Sequence, residues 1–177
     1  MKPRTTHTRT AHTRLAHTLT AFACAAIATV ALGTASYASS PGDRHLPKVV
    51  AAWQTAWNGT KPDALGALFT SGGTYTDQAI GVTFTGRQEI SGWKARTDAL
   101  IENVRVTVRA AHRDGDHITI EAVYSGHLKG APKPFAVPLA TLLDLDGPRI
   151  AHDQDFYSLN AVLAQSGLPA DWTPPTS

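Results

Sequence analysis

Between Val104 and Leu159 four strand-like stretches follow one another almost without a break, and this restricts the possible folds more than any other feature of the chain. Val104, Val106 and Val108 alternate with polar or charged residues, and "HRDGD" then supplies a turn. "HITIEAVYSGHL" places Ile118, Ile120, Ala122 and Tyr124 on one face, because successive side chains of a strand point to opposite sides. "PFAVPLATLLDL" is apolar almost throughout, as a central strand should be, although Pro138 has no N–H and implies a bulge or an unpaired edge there. Asp146-Gly147 turns the chain into "GPRIAHDQDFYSL", the last strand. Strands joined so closely pair antiparallel, as a meander.

Helical periodicity dominates ahead of this block. Leu46, Val49, Val50, Trp53 and Trp57 fall at the three-to-four spacing of one helix face, with Pro47 tolerated in the first turn. Gly59 breaks that helix, Pro62 opens a short second one, and Leu65, Leu68 and Phe69 form its buried side up to "SGG" at 71–73. A short β-like run ends at Asp77, and "GRQEISGWKAR" follows as a helix with Ile90 and Trp93 turned inward. The expected architecture is α+β: a curved, mainly antiparallel sheet forming a cone, with about three helices closing its concave face. Such a cone encloses a natural small-molecule pocket.

The first forty residues belong to a different kind of segment. Lys2, Arg4, Arg9 and Arg14 make a basic start, "AFACAAIATVALG" an apolar run, and "ASYASS" a small-residue cleavage site after Ala38. The apolar run is shorter than the roughly 20 residues a membrane span needs. We therefore expect a signal peptide over 1–38, a short linker over 39–45, one domain over 46–170 and a flexible tail over 171–177, with the protein secreted. An uncleaved leader is the one route to a membrane. Cys24, the sole cysteine, lies inside the apolar run, so the mature chain has neither disulfides nor thiol chemistry. The whole chain carries +2, but the leader holds four of the sixteen basic residues and none of the fourteen acids, so the remainder carries −2 (16 − 4 = 12 against 14). No basic stripe remains to bind nucleic acid.

"AWNGTKPDALGALFTSGGTYTDQAIGVTFTGRQEI" and "DQDFYSLNAVLAQSGLP" together resemble SnoaL-like domains of the nuclear transport factor 2-like superfamily, over about residues 46–170. The resemblance rests on "WN", "DAL.ALF", the strand ending "Y.D", "GR..I", and a closing strand with paired aromatics before a short helix. It implies a cone-shaped α+β barrel with a deep apolar pocket, often dimeric through the outer sheet face. Members include polyketide cyclases, ketosteroid isomerases, epoxide hydrolases and non-catalytic binding modules, so fold alone does not give the reaction.

On that resemblance Asp77 matches a general-base aspartate and Asp155 an acid/base aspartate. For Asp77 the alternative is a residue that ends a strand and hydrogen-bonds its own turn. Alternation puts Asp153, Asp155 and Tyr157 on one face, and the alternative for them is a solvated carboxylate row, since two inward acids without a basic partner are costly. Tyr75, Tyr124, Trp93 and Tyr157 are candidate pocket residues. Trp53 and Thr141 fall where ketosteroid isomerases keep their oxyanion donors, and neither is a matched acid for a developing enolate. Ala122 and Tyr124 stand where an epoxide hydrolase needs an arginine and an aspartate, which argues against that reaction. His45, His112, His117, His127 and His152 form no metal motif, and no dinucleotide or phosphate-binding loop is present. A cofactor-free protein is expected, with a small hydrophobic molecule as ligand and a homodimer as a possible assembly. Two functions remain: a binding module, or a cyclase or isomerase using an aspartate base.

Overall fold

The computed structural model describes residues 46–174. The expected signal peptide and linker, and residues 175–177 of the tail, lie outside the described residues.

Helix α1 (Lys48–Asn58) turns Val50, Trp53, Ala56 and Trp57 inward. Helix α2 (Pro62–Gly66) opens on its proline and ends sooner than periodicity suggests. Phe69, read as the end of that helix, instead begins strand β1 (Phe69–Asp77), which runs straight through the "SGG" expected to break the chain. The pairing register shifts between Phe69 and Thr74, so the glycines act as an irregularity within a strand. At Gly73 a side chain would come within 2.9 Å of the Ile150 carbonyl.

A second departure is β2 (Val82–Thr85), an edge strand too short at four residues to register as one in the sequence. Helix α3 (Gly86–Leu100) follows, its first turn fastened by Glu89, which accepts from the Thr85 backbone N–H at 2.8 Å. It packs tightly on α2: a β-carbon at Gly66 would sit 2.5 Å from the Arg87 carbonyl oxygen.

Strands β3 (Ile101–Asp114), β4 (His117–Leu128), β5 (Phe135–Asp146) and β6 (Arg149–Phe156) form the expected meander. The six strands lie in the order β2-β1-β6-β5-β4-β3, antiparallel except where β1 runs parallel to β6. Pro138 sits beyond the end of β6, whose ladder with β5 stops at Ala140 and Phe156. Two residues earlier on the same edge, the Ala136 N–H donates to Gln165 of α4 (Leu159–Ser166). The proline therefore occupies an unpaired edge, where its missing N–H breaks no ladder bond.

β3 is the other edge of the sheet, and α1 covers part of it. Asn58 accepts from Val106 N–H at 2.7 Å and donates to its carbonyl at 2.9 Å, while Gln54 accepts from Val108 N–H at 2.7 Å. The main core joins α1, α2 and α3 to the sheet through Val50, Trp53, Trp57, Leu65, Phe69, Ile90, Ile120 and Ile150. A second cluster, Ile101, Leu128, Phe135, Val137, Val162 and Leu163, seats α4 at the far end, with Trp172 packed against it. The helices thus number four among the described residues, three over the main core and one beyond it. None is long and apolar enough to cross a membrane.

Candidate functional site

The parallel pairing of β1 and β6 sets Asp77 beside Asp155 and Tyr75 beside Asp153. All four side chains are buried on the helix-covered face, with Asp153 fully inaccessible. The solvated carboxylate row is thereby excluded. Partners from distant parts of the chain make this burial tolerable. Trp53 Nε1 donates to Asp153 Oδ2 at 2.8 Å. Asp155 receives Tyr75 Oη on Oδ2 at 2.7 Å and Thr141 Oγ1 on Oδ1 at 2.5 Å. Tyr157 Oη donates to Asp77 Oδ2 at 2.9 Å.

Asp77 ends its strand and caps its own turn, the alternative reading made of it. Its Oδ1 accepts from the backbone N–H groups of Ala79 and Ile80 at 3.0 and 3.3 Å, which is a turn-capping role. Its other oxygen faces the interior with Asp155.

Burial pushes the Asp155 carboxyl up to about 7, against the opposing effect of its Thr141 and Tyr75 hydrogen bonds. Asp77 is also raised by burial, partly offset by Tyr157 and the two backbone donors. Asp153 is raised well above the ordinary carboxylate range by burial and by the neighbouring Asp155. Its Oδ1 has no partner, as suits a carboxyl that keeps its proton rather than an isolated buried charge. The phenols of Tyr75, Tyr124 and Tyr157 are raised by burial first and by the adjacent carboxylates next, so they remain hydrogen-bond donors.

A small cavity opens beside this cluster, walled by Trp57, Tyr75, Trp93, Tyr124 and Tyr157, with Asp77 and Asp155 among the lining groups and Thr97, Val106 and Leu139 completing it. It offers about 20 Å³ to the centres of water-sized atoms, where a single water needs roughly 10–15 Å³. Trp57 and Tyr75 pack with ring centroids 5.8 Å apart, and Tyr124 and Tyr157 at 5.4 Å. Trp57 Nε1, Trp93 Nε1 and Thr97 Oγ1 are buried there without a protein partner.

Six of the eight residues expected at the site, Asp77, Asp155, Tyr75, Tyr124, Trp93 and Tyr157, thus surround one cavity. Trp53 and Thr141 do not line it: they stand behind the carboxylates, and their only donors are spent on Asp153 and Asp155. Sequence reasoning passed over Trp57, Thr97, Val106 and Leu139. Trp57 was recognised on the buried face of α1, and its place one turn after Trp53 was the available signal. Among the histidines, His117 is exposed and its bond to Asp144 raises it, while His152 bonds Thr74 on the outer side. Among the described residues, no group of three or more His, Cys, Asp or Glu side chains is placed to hold a metal ion.

Comparison with known proteins is consistent with this architecture. A profile of the SnoaL-like domain matches residues 50–152. A hypothetical protein with a ketosteroid isomerase-like fold from Catenulispora acidiphila, solved in complex with trimethylamine, is 69% identical, with the match covering 72% of this chain and 98% of that one at a TM-score of 0.72. An NTF2-like protein from Burkholderia thailandensis is 23% identical over 68% of this chain and 95% of its own, at a TM-score of 0.60. An LEH-like epoxide hydrolase of M. tuberculosis is 14% identical over 66% of this chain and 85% of its own, at a TM-score of 0.57. The last two share the fold alone. No curated protein matches the chain. With more than half its length matched by the profile and a 69% identical relative of the same fold, the chain belongs to the SnoaL-like domain family, within the NTF2-like fold.

Proposed function

We propose that this protein is a binding module whose cone holds one small, largely apolar molecule. The observation that carries the reading is the cavity itself, an aromatic and aliphatic chamber with two carboxyl groups on its wall and three buried polar atoms without protein partners. Convergent polar groups in an apolar chamber are the mark of a ligand site. The 69% identical relative, solved in complex with trimethylamine, supports the same reading. With room for little more than a water's worth of atom centres, the chamber favours a ligand of a few heavy atoms over a fused polycycle. The basic, apolar and small-residue leader supports export, so the ligand would be met outside the cytoplasm. Amino-terminal sequencing of the exported protein tests this: a start at Ser39 is expected, and an intact leader on membrane-bound protein would contradict it.

Calorimetric titration with small neutral, anionic and cationic compounds tests binding. We expect saturable one-to-one binding of at least one, and no binding by any would overturn the reading.

One observation favours a second function, a cofactor-free isomerase. Asp155, pushed up to about 7, is poised to exchange a proton at neutral pH. Against it, Trp53 and Thr141 spend their only donors on Asp153 and Asp155 and have none left for an enolate. Incubation with a small ketone in deuterated water separates the two. Exchange above background, abolished by Asp155→Asn, would establish the isomerase; background exchange is expected.

A further inference from the structure

Three carboxyl groups, Asp77, Asp153 and Asp155, lie buried together, and no lysine, arginine or histidine is among the groups lining the cavity beside them. The buried cation nearest in kind, Lys94, lies over the Trp57 ring with its Nζ 6.0 Å from the centroid, but its hydrogen bonds go to other groups: the Nζ is 2.6 and 2.5 Å from the two oxygens of Asp98 and donates to the Gly59 carbonyl at 3.0 Å. Arg96 is exposed and lies over the Phe84 and Trp93 rings, 5.2 and 5.8 Å from their centroids. A buried acid cluster without a counter-charge is poorly stabilised unless it stays protonated or something else supplies the positive charge. Five of the ten lining side chains are aromatic, and aromatic faces attract a cation through their negative quadrupole, most strongly when that cation is only weakly hydrated.

We propose that the occupant is a small methylated ammonium cation, seated with its methyl groups against Trp57, Trp93, Tyr124 and Tyr157 and its charge against Asp77 and Asp155. The inference rests on the binding-module reading above and specifies the charge of the ligand. Asp77 and Asp155 are 2% and 4% exposed, so the counter-charge is held away from water, where its attraction for a cation is least screened. Asp77 Oδ2 and the two oxygens of Asp155 each accept a single protein hydrogen bond and keep a second lone pair for a further N–H, whereas Asp77 Oδ1 is filled by its two backbone donors. A tertiary ammonium has one such N–H to donate. Thr97 Oγ1, buried, unpartnered and part of the same wall, is a further acceptor for it. The small volume limits the substituents to methyl groups.

The test is calorimetric titration of the full mature chain at neutral pH with trimethylammonium chloride, tetramethylammonium chloride and tert-butanol, the last a neutral molecule of matching shape. We expect trimethylammonium to bind at least tenfold more tightly than tert-butanol. Asp155→Asn and Asp77→Asn should each weaken it at least tenfold while shifting tert-butanol by less than twofold. Trp93→Leu, a change at a half-buried position, should weaken both cations more than the alcohol, and it keeps the test decisive if an aspartate variant does not fold. Equal or tighter binding of tert-butanol would overturn this inference and leave the binding module standing. Binding by none of the three, nor by other small compounds, would overturn both. Saturation only at tens of millimolar trimethylammonium, unchanged by all three substitutions, would mark the relative's ligand as an adventitious additive only and would also overturn it.

Discussion

Asp155 titrates against its neighbours rather than with a base. Facing it are Tyr75 and Asp77 from β1, Asp153 and Tyr157 from β6 and just beyond it, Tyr124 from β4, and the hydroxyl of Thr141 from β5. Because burial raises Asp77, Asp153 and Asp155, the folded protein retains protons that the unfolded chain releases near pH 4. The unfolded state then binds fewer protons, so stability is greatest at acidic pH and falls as pH rises through about 7 for Asp155. The ligand-free protein should therefore melt at a higher temperature at pH 5 than at pH 8, and Asp155→Asn should flatten the slope. A thermal melting series checks this, and a midpoint that rises with pH would contradict it. Cation binding has the opposite sign, since it needs an ionised carboxylate while the amine keeps its proton to about pH 10, as lysine does. Affinity for trimethylammonium should strengthen between pH 5 and 8.

Legibility at this scale was partial. Alternation alone placed Asp153, Asp155 and Tyr157 on one face, and that is what the structure shows. Which face lay inside could not be read, because the donors that make the inward choice tolerable come from Trp53, a hundred residues away in the chain, and from Thr141 on the neighbouring strand.

Among the elements, α1 does more than cover the core. Asn58 and Gln54 occupy backbone groups of the β3 edge, where an open ladder would invite pairing with another chain. Asn58→Ala leaves the N–H and carbonyl of buried Val106 without their partner and should destabilise the fold by about 1–3 kcal/mol. Chemical denaturation measures it; a change under about 0.5 kcal/mol would show that water replaces the side chain. The "WN" motif thus marks a seam between helix and edge strand as well as a buried aromatic. Long, strongly patterned elements were legible: α1, α3 and the four-strand meander. β2 and the start of β1 were not, because Val82–Thr85 is too short for its alternation to stand out, while the glycine-bearing start of β1 carries no periodic signal and depends on pairing with β6, distant in sequence.

Taken as a molecule, the described chain exposes Leu142 on β5 and Phe156 on β6, each about 41% accessible on the side of the sheet away from the helices. The family resemblance implies that such domains often pair through that outer face, and a dimer formed this way is proposed for this chain. A homodimer is the expected state by light scattering, and Leu142→Lys with Phe156→Lys should convert it to monomer; a wild-type monomer would contradict this. Those changes lie on the opposite face from the cavity and should leave ligand affinity within twofold.

The place where a ligand sits distinguishes the aromatic cavity from the rest of the surface. The most direct measurement is an NMR spectrum of the protein with 13C-methyl trimethylammonium, recording contacts from the bound methyl groups. Contacts with the indole protons of Trp57 and Trp93 and the ring protons of Tyr124 are expected, with methyl signals shifted upfield by the rings. Contacts instead with Ala52, Ala64 and Leu68, which line an open groove between α1 and α2, or no contact with any aromatic ring, would contradict it.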